Sequence, residues 1–172
     1  VARLASSGGH VWSTYVGLGA SVRGICTDFS GGVYTAGDTT VGGWASGGYD
    51  TTFNGGHDGF VAKLTKNGGH VWSTYLGGDM YEQIDGIAVS GTGRVVVAGY
   101  VSPPTDIRSK DVLVASITDV PPFWSTFLGG GAEDYGHGIA VDAAGNLYVA
   151  GSTKSPDWTR SGFDLAFGGR WD

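Results

Sequence analysis

Two acidic loops are the first stretches of this sequence that suggest chemistry. "GGDMYEQID" (77–85) carries Asp79, Glu82 and Asp85, and "GGGAEDYGHG" (129–138) carries Glu133 and Asp134. Hard cations bind where several oxygens converge, so these five residues make a candidate calcium site, and calcium is the one cofactor the residues suggest. Their spacing is not that of an EF-hand, and the related loop "GLGASVR" (17–23) has no acid. Solvated loop carboxylates are therefore the plainer expectation. The same shortage argues against a catalytic carboxylate pair, although Asp85 and Glu133 could face one another across a ring.

Two long loops are rich in aromatics: "DTTVGGWASGGYDTTFNGGH" (38–57) and "STKSPDWTRSGFDLAFGGRW" (152–171). Aromatic rings beside carboxylates commonly grip sugars, which makes Trp44, Tyr49, Trp158 and Phe163 the candidate ligand-binding residues. Phe53 and Phe167 sit in a motif common to both loops, "GGYDTTFNGG" and "SGFDLAFGGR", and are expected to pack onto their own part of the fold. The four histidines lack zinc-ligand spacing. Glycine clusters such as "GTG" (91–93) precede no helix that would hold a phosphate. Cys26, the single cysteine, has no neighbouring base and reads as a small buried residue. No catalytic group is assigned, and no enzyme is expected.

What must position these loops follows from composition and repetition. The chain has 172 residues, enough for one domain with a sizeable core. It holds 33 glycines, 12% aromatic residues and only 15% charged residues. That mixture disfavours helices and favours many short strands joined by tight turns. A net charge of −6 with scattered Lys and Arg argues against nucleic acid and anionic membrane as partners. No apolar run has the length of a membrane-spanning helix.

Four short segments recur in phase. Trp12, Trp72 and Trp124 lie 60 and 52 residues apart within "GGHVWSTYVG", "GGHVWSTYLGG" and "PPFWSTFLGG". "GICT", "GIAV" and "GIAV" follow at 24, 86 and 138. "VYTAG", "VVVAG" and "LYVAG" start at 33, 95 and 147, and "VARL", "VAKL" and "VASI" at 1, 61 and 114. Gly31, Gly93 and Gly145 mark equivalent turns, and "KNGG" (66–69) marks a hairpin. Four strands repeated at about 50 residues are the pattern of a β-propeller blade.

The pattern "GFVAKL…WSTYLGG…GIAV…VYVAG" resembles the bacterial SBBP β-propeller repeat, in the style of NHL-like propellers, and the resemblance covers essentially the whole chain. It implies an all-β propeller of four-stranded antiparallel blades in a secreted, cell-surface or periplasmic bacterial protein, with no single activity attached. It also implies that "GIAV" is innermost and "WSTYL" outermost. The small Gly86, Ile87, Ala88 and Val89 suit the crowded axis, while Trp12, Trp72 and Trp124 suit the wide rim as structural wedges. Alternation at period two puts His70, Trp72, Thr74 and Leu76 on one face.

In that phase residues 1–172 form one propeller segment: an outer hairpin (1–16), blades at 24–76 and 86–128, and an inner hairpin with its loop (138–172). Three blades' worth of strands is fewer than the roughly four to eight of known propellers. Either further blades belong to a longer chain, or identical chains close a ring in which one copy's outer hairpin completes its neighbour's inner hairpin. The expected function is a non-catalytic protein-interaction or scaffold module. A carbohydrate-binding propeller using the aromatic loops is the alternative, and a propeller enzyme ranks third.

Overall fold

The computed structural model describes residues 1–106, 109–117, 123–158 and 167–171. Among these, all regular structure is strand. Twelve strands run β1 (Ala2–Leu4), β2 (His10–Ser13), β3 (Ala20–Thr27), β4 (Val33–Thr39), β5 (Asp58–Leu64), β6 (His70–Leu76), β7 (Tyr81–Val89), β8 (Val95–Ser102), β9 (Asp111–Ile117), β10 (Trp124–Leu128), β11 (Asp134–Val141) and β12 (Leu147–Thr153). β3–β4–β5–β6 and β7–β8–β9–β10 are antiparallel four-stranded sheets in sequence order; β1–β2 and β11–β12 are two-stranded. The fold is thus two whole propeller blades, 1 and 2, flanked by the outer half of one blade and the inner half of another.

Local chemistry explains the hairpins. Gly31, Gly93 and Gly145 have φ of 85°, 83° and 87°, where a side chain would be strained. Asp28 and Asp142 clamp their turns by accepting the amides of Gly32 and Asn146, both at 2.8 Å. The inner strands begin earlier than the "GI" motif suggests, at Ala20, Tyr81 and Asp134. Pairing slips at Val22/Gly24, Ile84/Gly86 and Gly136/Gly138, so each inner strand carries a bulge and continues beyond it.

The core is the seam between blades 1 and 2. Tyr34, Ala36 and Val61 of blade 1 cluster with Ile84, Ile87, Val95, Val97, Leu113, Ala115 and Ile117 of blade 2, and Trp72 and Leu76 pack against the same cluster. Trp72 therefore fills the outer part of the gap between blades. On the far face of blade 1, Phe60, Ala62 and Tyr75 are covered by Val16, Trp44 and Phe53. The 40–57 loop also shields the outer edge of its sheet: Ser73 and Tyr75 amides donate to the carbonyls of Ser46 and Asp50, both at 2.8 Å. β10 holds the same place in blade 2, where every residue of it is exposed and none of the described residues covers its edge in this way. The β1–β2 hairpin lies against the outer turn of blade 1, where the Trp12 indole N–H donates to Lys66 O at 2.9 Å.

Candidate functional site

The inner strands β3, β7 and β11 lie side by side, and the face on which they begin forms a mouth. Three sets of equivalent positions line it. The bulges present Arg23, Asp85 and His137. The second strands present Asp38, Tyr100 and Ser152, paired with Ser21, Gln83 and Tyr135. His57 and Lys110 immediately precede the third strands of blades 1 and 2, and Trp171 lies 5.5 Å from the Tyr135 ring. Framework positions repeat from blade to blade, whereas these differ in charge and chemistry in every repeat.

The groups form one connected network. Arg23 Nε donates to Asp38 Oδ1 at 2.6 Å and lies 3.7 Å from Asp85 Oδ1 of the next blade. Burial works against the Arg23 charge, but the hydrogen bond and charge of Asp38 outweigh it and raise its pKa. Gln83 Nε2 donates to Asp85 at 2.8 Å, and the Tyr100 hydroxyl donates to Gln83 Oε1 at 2.9 Å. His57 stacks on Tyr81 at 4.3 Å, Tyr81 on Tyr100 at 5.9 Å, and Tyr135 meets Tyr100 edge-on at 5.0 Å. Lys110 Nζ donates to the Tyr135 hydroxyl at 2.6 Å and sits over the Tyr135 ring at 4.8 Å. Burial, then the hydrogen bond to Tyr81, raises the Tyr100 phenol and keeps it neutral. The network has rings, donors and acceptors for recognition.

The five candidate calcium ligands fall in separate surroundings. Asp79 is exposed in its loop. Asp85 belongs to the network above. Glu133 pairs with Lys154 and lies 3.9 Å from Lys110. Asp134 is buried, accepting from Thr153, from Ser155 Oγ at 2.9 Å and from the Gly130 amide at 2.8 Å. Glu82 is buried beside Asp58 at the seam; burial, then the charge of Asp58, pushes it up to about 7. Asp58 is raised as well, chiefly by burial. Among the described residues, no three His, Cys, Asp or Glu side chains are grouped to hold a metal.

The aromatic candidates do not converge either. Trp44 donates its indole N–H to Val41 O at 2.8 Å and packs edge-on against Phe60 and Tyr75 at 5.2 and 5.4 Å. Tyr49 lies 4.0 Å from Phe123 of blade 2. Trp158 borders a groove of about 200 Å³ with Val112, Tyr135, Val149, Gly151 and Thr153. Gly151 is the counterpart of Gly37, which in blade 1 pairs with Phe60; the groove lies where a complete blade places that ring. Phe163 lies outside the described residues.

Among the structural tryptophans, Trp12 bonds across to blade 1, Trp72 packs in the seam, and Trp124 lies exposed under Arg94 at 5.5 Å. Sequence reasoning missed Arg23, Asp38, Tyr81, Gln83, Tyr100, Lys110 and Tyr135. Aligning the three repeats column by column was the signal available, since the mouth positions are the columns that vary.

Sheet order, strand phase and packing define the molecule as β-propeller blades. The model of the SBBP family, described as a β-propeller repeat, matches residues 124–156. The match runs from the outer strand of blade 2 through the inner hairpin β11–β12. No curated protein matches the chain.

Proposed function

We propose that this chain is a non-catalytic protein-interaction module of an extracytoplasmic propeller whose two open half-blades are completed either by further blades of a longer chain or, as the register below supports, by those of a second copy. One observation carries this reading: the half-blades are complementary, and the two end faces, the β11–β12 hairpin and the inner strand of blade 1 on the side turned away from blade 2, are bare where the seam between blades 1 and 2 is covered. Ile25 is 56% exposed while its counterpart Ile87 is 8% exposed; Tyr148 is 59% exposed while Tyr34 is 2%. Blade 1 supplies the template. There Val33, Tyr34 and Thr35 pair with Leu64, Lys63 and Ala62. By the same register Leu147, Tyr148 and Val149 of β12 would take Leu4, Arg3 and Ala2 of the partner's β1.

Charge supports that register. In blade 1, Lys63 lies over the Tyr34 ring at 5.1 Å, and the Tyr34 hydroxyl donates to Asp28 at 3.1 Å. In the open half-blade the Tyr148 hydroxyl donates to Asp142, also at 3.1 Å. The partner's Arg3 would supply the cation. Two copies would close a ring of six blades, with the varied mouth residues as its recognition face. The extracytoplasmic setting rests on the family resemblance. Sedimentation equilibrium tests the assembly: a dimer is expected, Arg3→Lys should keep it, and Arg3→Glu should shift it to monomer. A wild-type monomer at tens of micromolar would overturn completion by a second copy.

A further inference from the structure

We propose that the seam between blades 1 and 2 binds a hard divalent cation of the calcium class, held by Asp58 and Glu82 together with the backbone carbonyls of Gly78 and Met80. This site lies inside one chain and is independent of how the half-blades are completed.

Each of two adjoining buried carboxylates has one oxygen without a well-formed hydrogen bond, although the Gly55 amide acts on Asp58 and the Gly78 amide on Glu82. Asp58, the first residue of β5, is 0% exposed, and Glu82, the second residue of β7, is 6% exposed. Asp58 Oδ2 accepts the Asn54 amide at 3.0 Å. Asp58 Oδ1 and Glu82 Oε2 are the buried oxygens without a well-formed bond. Leaving such groups unmatched is expensive, so native proteins pair them, protonate them or give them a metal.

On one side the two carboxylates meet further oxygens; on the other, Glu82 borders a cavity lined by Leu76, Val101, Leu113 and Phe127. A Cβ placed on Gly77 would stand 2.9 Å from both Asp58 Cγ and Glu82 Oε2, so the two carboxylates flank that glycine. A Cβ on Gly55 would stand 2.7 Å from Gly78 O and 3.0 Å from both Asp58 Oδ1 and Met80 O. Asp58 Oδ1 and the carbonyls of Gly78 and Met80 thus gather around Gly55, and Glu82 Oε2 lies beside Asp58 at the neighbouring Gly77. Carboxylates mixed with backbone carbonyls are calcium ligands; the absence of imidazole or thiolate from this set disfavours zinc.

The next seam is an internal control. There Asp111 and Asp134 hold the equivalent positions, and a Cβ on Gly129 would stand 2.5 and 2.6 Å from their oxygens. At that seam Asp134 is satisfied by the hydroxyls of Thr153 and Ser155. Their counterparts beside Glu82 are Val101 and Pro103, which have no donor to offer. The same acidic pair therefore meets hydroxyls at one seam and none at the other. A cation linking β5 to β7 would tie blade 1 to blade 2.

Calorimetric titration of calcium chloride into the chelator-treated full chain, up to about 1 mM, tests this. Saturable binding is expected, with Tm raised by about 5–10 °C at a hundredfold excess over Kd. Asp58→Asn and Glu82→Gln should abolish both effects, while Asp111→Asn should keep them. Val101→Thr with Pro103→Ser keeps both carboxylates and offers Glu82 two hydroxyls; it should weaken calcium binding at least tenfold. No binding by the wild type, or affinity unaltered in that double variant, would overturn the proposal.

Discussion

Gly24, Gly86 and Gly138 occupy one position in three successive inner strands, and alanine there should have three different outcomes. None has a positive φ, so alanine strains no backbone. On Gly86 the added Cβ would stand 2.9 Å from Gly138 Cα and 3.1 Å from Ile139 N of the next blade, both backbone atoms that cannot rotate away. Overpacking of this kind costs about 1–3 kcal/mol, offset by roughly 0.5 kcal/mol from stiffening the unfolded chain. A net loss of about 1–2 kcal/mol lowers Tm by roughly 2–8 °C for a chain of this length.

On Gly24 the nearest atom is the Ile87 Cγ2 methyl at 3.0 Å, which can shift, so the loss should be smaller. On Gly138 nothing lies within 4 Å, and the isolated chain should be unchanged. In a closed ring that position meets the partner's first inner strand. Gly138→Ala should then weaken association by about 1–2 kcal/mol at each of the two equal junctions, about 2–4 kcal/mol in all and roughly 30- to 900-fold in Kd. Urea titration followed by tryptophan fluorescence under dilution reads the first effect, and sedimentation equilibrium reads the second. A Gly86→Ala protein as stable as wild type would refute the inner-strand packing. A Gly138→Ala protein with unaltered association would refute the ring geometry.

Two further predictions concern single side chains. Trp72→Ala should cost about 3–5 kcal/mol, because its ring packs on the core seam. Trp124→Ala at the equivalent, exposed position should cost less than about 1 kcal/mol, chiefly the contact with Arg94; equal losses in urea would contradict this placement. Burial, then the charge of Asp28, pushes the Cys26 thiol up to about 11. A raised pKa keeps the neutral thiol, so roughly one molecule in a thousand is thiolate at pH 8. The rate of reaction with a disulfide reagent should climb about tenfold per pH unit through pH 10; a plateau near pH 9 would show an unperturbed thiol.

Much of the framework was legible because its causes are local. Gly31, Gly93 and Gly145 mark turns through their own φ, and alternation along "HVWSTYL" put Trp72 and Leu76 on one face, both of which pack half-buried against the seam cluster. The site was much less legible. Glu82 stood out as an acid, but its neighbour Asp58 opens a strand of the preceding blade, 24 residues earlier. Trp44 looked available for a ligand until its loop folded back over Phe60 and Tyr75. The bulges at Arg23, Asp85 and His137 re-aim side chains that simple alternation would have placed differently.

From sequence alone, then, came the repeat, its four-strand phase and the two half-blades, since these depend on period and turn chemistry within some fifty residues, while the inner and outer assignments came from the resemblance to a propeller repeat. Tertiary structure alone decided which residues meet across a seam: Asp58 with Glu82, Arg23 with Asp85, Tyr100 with Tyr135. Such contacts depend on how one blade sits against the next, and that is set by packing between sheets, to which strand periodicity is blind.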